Sequence, residues 1–250
     1  MWDRDELPRM YGDLAWTWPI ISAVHQYDEE SELFAEMIKG RARGTAATLL
    51  HLGCGGGHND HFLKRHFTVT GVDLSEEMLG NARRLNPEVE YLEGDMRTLR
   101  LDRTFDAVAI LDSIMYMRTE EELTMALRTA WEHLRPGGVL LTYAEIMKET
   151  FEEGRVSHHA GSEGPVSVVL FEHEHDPDPD DSTFEYTAIY LVRDGGPPSV
   201  QHEVHVMGLF RHGTWVRRLE DVGFSVEEVP FPEELDDAER SIPIFVCMRP

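Results

Sequence analysis

The stretch Leu49–Asp60, which reads LLHLGCGGGHND, combines a short apolar run with closely spaced glycines. The apolar run predicts a buried strand, and the residues from about Gly56 onward predict the start of a helix. Between them, glycines at 53, 55 and 57 allow close approach of the backbone to a ligand and tolerate positive φ. The N-terminus of the helix offers unpaired N–H groups and a partial positive charge. The stretch therefore indicates a site for an adenosine-type ligand.

Two acidic positions strengthen this interpretation, because each follows a predicted strand. Asp73 comes directly after the apolar run 69–72, in the region that follows Gly53 in a βαβ unit. An acidic residue there lies at the tip of the second strand, where its two oxygens can accept both hydroxyls of a ribose. Asp95 and Met96 follow the third run, 89–92. We expect Asp95 to bond the exocyclic amine of adenine and Met96 to cover the ring.

The glycine spacing distinguishes two classes of nucleotide-binding protein. It is GxGxG, because position 58 is His, and this disfavours the pyrophosphate cradle of an NAD enzyme. Together with Asp73, Asp95-Met96 and the turn LRPGG at 134–138, the pattern resembles class I S-adenosylmethionine-dependent methyltransferases over roughly residues 30–146. The resemblance implies S-adenosylmethionine as cofactor and S-adenosylhomocysteine as product. It also implies these cofactor-binding residues: Gly53, Cys54, Gly55, Gly57, Asp73, Leu74, Met78, Asp95, Met96 and Leu111.

The pattern up to residue 146 alternates strands with helices. Strands are predicted at 48–52, 68–72, 89–92, 105–111 and 138–146. Helices are predicted before and between them, with Asp28 and Ser75 as N-caps and Thr119 with Glu122 as a capping box. This alternation predicts an α/β fold with a doubly wound, mainly parallel sheet, the Rossmann-like fold that the resemblance also implies.

After residue 146 the pattern changes to long strand-like runs at 166–175, 183–193 and 199–210. Turns rich in proline, glycine and aspartate separate the runs, which predicts an antiparallel β insertion. Its place after the fifth strand puts it over the carboxyl ends of the sheet, where open α/β sheets bind ligands. We therefore expect four parts: an N-terminal arm or lid (1–27), a cofactor-binding core (28–146), the insertion (147–211), and a C-terminal helix with closing strands (212–250).

Three residues are candidates for the chemistry. Tyr116 follows the fourth strand, Glu145 ends the fifth, and His205 lies in the insertion. His202 and His205 are three apart on a strand, so at most one of them faces the site. The run Gln201–Phe210 (QHEVHVMGLF), with segments 94–97 and 112–123, resembles more loosely the amino-sugar N,N-dimethyltransferases of antibiotic biosynthesis. In that group Tyr116 falls at a substrate-facing position.

The thirteen histidines raise the question of a metal site. His58 and His61 are spaced i, i+3 on a predicted helix, and His173 and His175 share a strand face. Neither pair has a third ligand at zinc spacing, so we predict no metal. Cys54 has no evident paired base, and we interpret it as a small residue of the glycine turn rather than a catalytic thiol.

The amino-acid composition restricts the classes of partner that we expect the protein to bind. Asp and Glu number 47 against 23 Lys and Arg, which gives a net charge of −24. Such a surface repels phosphate backbones and anionic lipids, so we expect no nucleic-acid or membrane partner. Two cysteines do not make a disulfide scaffold, and a reducing cytoplasm fits. No apolar run approaches the ~18 residues of a membrane span, and the N-terminus is too polar for a signal peptide.

We therefore predict a cytoplasmic enzyme that transfers a methyl group to a small molecule, preferably to an amine, with an amino sugar as one acceptor class. The partners expected are this substrate and a second copy of the chain. Two alternatives stay open: an O- or C-methyltransferase of a secondary metabolite, and a non-catalytic S-adenosylmethionine-binding protein. An NAD-dependent oxidoreductase is disfavoured, because both GxGxxG and a Tyr-x-x-x-Lys pair are missing.

Overall fold

A computed structural model describes residues 7–232 and 242–250. Its larger sheet has seven strands in the order β10-β11-β5-β4-β1-β2-β3. Strands β1 to β5 run parallel, whereas β11 is antiparallel to both β5 and β10. The predicted doubly wound, mainly parallel sheet is therefore confirmed. The strands are β1 Thr48–Leu52, β2 Thr68–Asp73, β3 Glu90–Glu93, β4 Phe105–Ile110, β5 Leu134–Tyr143, β10 Ser225–Pro230 and β11 Pro243–Met248.

Helices cover both faces of this sheet because its central strands are apolar on both sides. In β1, Leu50 belongs to a core with Leu127 and Leu219 of two helices, whereas Leu49 packs into a second core with Phe34 and Ile38. Alternate residues of one strand thus supply two separate cores. The helices are α1 Trp18–Ile21, α2 Asp28–Arg41, α3 His58–Leu63, α4 Glu76–Leu85, α5 Glu120–His133 and α6 His212–Val222, with a 3-10 helix Asp112–Tyr116 after β4.

The insertion forms a separate sheet of four antiparallel strands, in the order β6-β7-β8-β9. Three of its strands were predicted, but β6 was missed. The sequence of β6, VSHHAGSE, is largely solvent-exposed and polar, so it carries no apolar alternation, and only its pairing with β7 makes it a strand. The strands are β6 Val156–Glu163, β7 Val166–His175, β8 Thr183–Asp194 and β9 Ser199–Gly208.

Asp28, predicted as an N-cap, is instead the first residue of α2, and the N-cap is Tyr27. Two other predicted boundaries were wrong for backbone reasons. Helix α3 begins at His58 rather than at about Gly56, because Gly57 caps it in the left-handed conformation with φ of 75°. Strand β5 spans Leu134–Tyr143 rather than 138–146, since Leu134 already pairs with Phe105 and a register shift accommodates the turn residues that follow. Glu145 consequently lies beyond the end of β5, not within it.

The N-terminal arm, of which residues 7–27 are described, consists of short 3-10 helices and α1. It bridges the two sheets: the indole of Trp18 donates to Nδ1 of His58 at 3.2 Å, and the carbonyl of Tyr11 accepts from Ser75 Oγ at 2.6 Å. The carbonyl of Ile20 lies so close to Gly161 of β6 that only glycine fits there. The arm therefore packs against the core and the insertion together.

Candidate active site

The chain bends sharply where β1 ends. The backbone N–H groups of Gly53 and Cys54 both donate to the carbonyl of Val72, at 2.7 and 3.0 Å. Gly53 has φ of 73°, and a Cβ at this position would lie 2.0 Å from Oγ of Ser113 and 2.8 Å from Cε of Met96. The bend thus needs glycine, and it brings the ends of β1 and β2 together with the loops after β3 and β4.

Asp73, at the end of β2, is anchored by two backbone donors. Its Oδ2 accepts from the N–H of Gly55 at 2.8 Å, and its Oδ1 accepts from the N–H of Ser75 at 2.9 Å. Burial raises the pKa of Asp73, and these two hydrogen bonds oppose that rise. Each oxygen keeps acceptor capacity for one more donor. The carboxylate is therefore fixed in place with room to accept a pair of hydroxyls.

A cavity of about 1200 Å³ extends from this bend to the insertion sheet. All but one of the residues singled out from the sequence line it: Gly53, Cys54, Gly55, Asp73, Leu74, Met78, Asp95, Met96, Leu111, Tyr116, Glu145 and His205. The exception is Gly57. A Cβ there would meet Oη of Tyr91 at 2.7 Å and Nδ2 of Asn86 at 2.9 Å, so Gly57 serves the packing of α3 rather than the cavity wall.

Asp95 lines the cavity but is also bound to a buried cation. Its carboxylate pairs with Arg97 at 2.7 Å, and Arg97, only 5% exposed, pairs at its other end with Glu122. Burial alone would raise the pKa of Asp95, but the contacts with Arg97 outweigh it and lower that pKa. Glu122 is thereby diverted from the predicted capping box, of which only the bond from its N–H to Thr119 Oγ1 forms. Asp95 is thus held as an anion.

The far half of the cavity is aromatic and acidic. Tyr116 Oη lies 2.7 Å from Nδ1 of His205 and 2.9 Å from Oη of Tyr11. Tyr186 of β8 donates to Glu172 of β7, which also lines the cavity. His205 is 1% exposed, whereas His202 is exposed on the opposite face of β9, as predicted. Tyr116 and His205, chosen separately from the sequence, are therefore direct neighbours.

Known proteins resemble this chain in both sequence and fold. A sequence model of the family described as a methyltransferase domain matches residues 49–138. The chain is also 33% identical over 205 residues to dTDP-3-amino-3,4,6-trideoxy-alpha-D-glucopyranose N,N-dimethyltransferase of Streptomyces venezuelae, which covers 80% of this chain and 84% of that enzyme. The chain belongs to the S-adenosylmethionine-dependent methyltransferase family.

Solved structures agree with this membership. DesVI of Streptomyces venezuelae is 26% identical with a TM-score of 0.80, and the match covers 100% of both chains. The S-adenosylmethionine-bound amino pentose methyltransferase CalS10 from Micromonospora echinaspora is 27% identical with a TM-score of 0.77, covering 90% of this chain and 92% of that one. The cofactor of the present methyltransferase is accordingly S-adenosylmethionine. The bend, the anchored Asp73 and the large cavity fit that molecule.

Sequence reasoning missed a group of carboxylates in the methyltransferase cavity. Glu30 of α2 accepts from Asn59 Nδ2 at 2.7 Å, and Asp112 accepts from the hydroxyl of Tyr143. Burial, together with the charge of Asp112, raises the pKa of Glu30 to about 8. These residues come from separate elements and share no motif, so only their meeting in space reveals them.

A second missed pair lies beneath the bend. His51 of β1 and Asp60 of α3 are both buried, with Nδ1 of His51 2.7 Å from Oδ1 of Asp60. A polar residue inside the apolar run 49–52 was the available signal. Because strand side chains alternate, His51 faces away from Leu50 and Leu52 and lines the cavity.

The histidine pairs that suggested a metal have other neighbours. His58 accepts from Trp18 Nε1, and His61 Nδ1 lies 3.1 Å from Oδ1 of Asn86. In segments 7–232 and 242–250, no cluster of three His, Cys, Asp or Glu side chains has a geometry for metal binding. Within the same segments, no helix is both long and apolar enough to cross a membrane.

Proposed function

We propose that the adenosine part of the cofactor binds with its ribose hydroxyls on Asp73 and its adenine beside Met96 and Leu111. This assignment is supported by the two free acceptor positions of the anchored carboxylate and by the apolar wall next to it. Asp95 then accepts from the exocyclic amine, because Arg97 keeps it ionised. The methionine tail lies along the bend that Gly53 begins, where backbone N–H groups and close approach are available.

The acceptor, we infer, is an amine on a deoxy sugar carried by a nucleotide. Three relatives in this family are named as N,N-dimethyltransferases of dTDP-linked amino sugars, from Streptomyces venezuelae, Streptomyces fradiae and Saccharopolyspora spinosa. The single observation that carries the proposal is the cavity, which continues past the cofactor region to Glu172 and Glu145. Carboxylates there favour a cationic ammonium over a neutral hydroxyl, since opposite charges attract strongly where water is excluded.

The chain's own contribution to the reaction is positioning. When bound, the cofactor supplies a methyl group on a sulfonium, which is an excellent leaving group. Holding an acceptor nitrogen in line with that methyl can lower the barrier by ~7–11 kcal/mol. Tyr116, Glu145 and His205 line the half of the cavity where the nitrogen would lie. In this arrangement Tyr116 and His205 orient the amine, and Glu145 adds negative charge on the other side.

The test uses matched acceptors. The purified enzyme is incubated with methyl-labelled S-adenosylmethionine and either a dTDP-linked 3-amino deoxy sugar or its 3-hydroxy counterpart, and products are read by mass spectrometry. We expect one and then two methyl additions on the amino compound and none on the hydroxy compound. Methylation of the hydroxy compound at an equal rate would refute the preference for an amine. Binding of the cofactor without transfer to either acceptor would favour a non-catalytic role.

We also propose a homodimer formed through the outer face of the insertion sheet. Phe171 of β7 and Ile189 of β8 are directly paired across the strands, and both are about two-fifths exposed, at 43% and 40%. Burying such a pair is favourable. Light scattering of wild type and of Ile189→Lys tests this: we expect a dimer that the charged residue dissociates.

The net charge of −24 supports the absence of a nucleic-acid partner, and two buried free cysteines support a reducing cytoplasm.

A further inference from the structure

A second cavity, of about 440 Å³, lies next to the active-site cavity. Its wall includes Arg9, Arg118 and Glu203, and it shares three residues, Leu7, Pro8 and His205, with the active-site cavity. Glu203 and His205 are two apart on β9, so their side chains lie on the same face. Val204 between them is 49% exposed on the other face, whereas Glu203 is 8% exposed. His205 is therefore a titratable side chain that lines both cavities.

A row of polar atoms passes through His205 from the active-site cavity to the second cavity. Tyr116 Oη lies 2.7 Å from His205 Nδ1, and His205 Nε2 lies 3.2 Å from Oε1 of Glu203. Glu203 is held in turn by the hydroxyl of Tyr190 at 3.0 Å and by the backbone N–H of Met10 at 3.0 Å. The acid is thus fixed by groups of β8 and of the N-terminal arm. Its Oε1 lies near His205 Nε2, but this contact lacks hydrogen-bond geometry, and Nε2 has no hydrogen-bond partner among the described residues.

Other titratable groups surround the line on every side. Tyr11 of the arm and Tyr186 of β8 have their rings 6.1 and 5.2 Å from the ring of His205. The hydroxyl of Tyr186 donates to Glu172. The backbone N–H of Arg9 donates to Glu203, and the guanidinium of Arg9 pairs with Asp13. The side chain of Arg118 lines the second cavity. The two acids nearest His205 are therefore Glu203, 3.2 Å away, and Glu172 behind a tyrosine.

The ionisation of these groups suits proton transfer. Burial, together with Tyr11, Tyr186 and Glu203, raises the pKa of Tyr116 well above its ordinary value, so its phenol stays neutral. Burial opposes the charge on Glu203, but His205, Tyr190 and the N–H of Arg9 outweigh it and lower the pKa of Glu203. A neutral phenol can take up a proton only while it gives its own to a neighbour. Tyr116 has such a neighbour in His205.

We propose that Tyr116, His205 and Glu203 form a relay that carries the proton released by the acceptor amine away from the active-site cavity toward the second cavity. The relay rests on the N-methylation proposed above. Glu203 is its positioning residue: it orients the imidazole and stabilises the imidazolium, but it contacts neither substrate nor cofactor.

The proton balance is complete within these groups. Before each transfer the bound ammonium must lose one proton to expose the nitrogen lone pair. The new N–C bond then forms from that lone pair, and the C–S bond breaks with its electrons going to sulfur. The proton from the ammonium passes to Tyr116 Oη as Tyr116 gives its own to His205 Nδ1, and His205 Nε2 can then release a proton beside Glu203. Two methylations require two such passages.

Glu203→Gln tests the relay with little change in shape, because the amide oxygen can still accept from Tyr190 and from Met10 N–H. We expect kcat at pH 7 to fall about 10- to 100-fold, which is at or below the lower limit of what a positioned base supplies, because Glu203 acts only through His205. The KM for the amino sugar and the Kd for S-adenosylmethionine should stay within about threefold. The rate of the variant should rise with pH more steeply than that of wild type, because solvent base must replace the relay. Glu185→Gln, on the opposite face of β8, is the matched control.

A further measurement separates proton transfer from mere support of the fold. Imidazole added to His205→Ala should restore part of the lost rate, and restore more of it at higher pH. An unchanged kcat and pH profile in Glu203→Gln would overturn the relay, as would a folded, cofactor-binding His205→Ala that imidazole cannot rescue. If wild type methylates no amine at all, the proposed function fails instead.

Discussion

Replacing Asp73 by alanine tests the assignment of the cofactor site. In the structure each carboxylate oxygen accepts one backbone N–H and keeps room for one ribose hydroxyl. A hydrogen bond to a charged group contributes a net of roughly 1.5–3 kcal/mol. Because the two hydroxyls share one carboxylate and their contributions are not additive, we expect the variant to lose about as much as one such bond. This corresponds to Kd values for S-adenosylmethionine and S-adenosylhomocysteine that are about 10- to 100-fold weaker.

Isothermal titration measures this directly, and a 2′-deoxy analogue of S-adenosylhomocysteine makes the test specific. Wild type should prefer the ribose form, and Asp73→Ala should lose most of that preference, because the two changes remove the same interaction. Glu77→Ala, which alters an exposed acid in the first turn of α4, is the control and should bind as wild type does. If Asp73→Ala stays folded and binds within twofold of wild type, or keeps its full preference for ribose, the carboxylate does not hold the sugar.

Three further outcomes follow from the contacts described. Gly53→Ala should weaken cofactor binding at least about tenfold by titration, because its Cβ would lie 2.0 Å from Ser113 Oγ. Glu30→Gln should stabilise the protein above pH 7. The pKa of Glu30 in the folded protein is about 8 and exceeds the ordinary 4.5, so the free energy of unfolding of wild type falls as pH rises through that window. Thermal melts at pH 5 and pH 8.5 should show that the variant gains on the order of 1–3 kcal/mol at the higher pH only. Arg97→Met should cost about 3–5 kcal/mol in urea unfolding by leaving the partly buried carboxylates of Asp95 and Glu122 without their cationic partner. Glu122→Gln added to it should recover part of the loss, and additive effects would contradict the coupling.

Much of the fold was predictable because its signals are local. The central strands are short apolar runs, and β1 was predicted with its observed bounds, since Leu49, Leu50 and Leu52 form such a run and the last four of its five residues are all buried. The Ser75 cap was also predictable, because its hydroxyl accepts from the N–H of Met78 three residues later. By contrast β6 has no apolar pattern of its own. Its hydrogen bonds come from β7, so its existence depends on a partner and not on its own residues.

The sequence by itself predicted which residues meet at the edge of the sheet where we propose that the cofactor binds. The bend at 53–57, Asp73 and Asp95 each follow a strand, and parallel strands end at one edge of the sheet, so order along the chain fixes proximity. The tertiary structure alone decided the rest: that Arg97 ties Asp95 to Glu122, that Glu30 meets Asp112, and that Glu203 lies behind His205. Those contacts join side chains from elements far apart in sequence. Their distances are set by how the arm and the second sheet pack on the core, which no local pattern encodes.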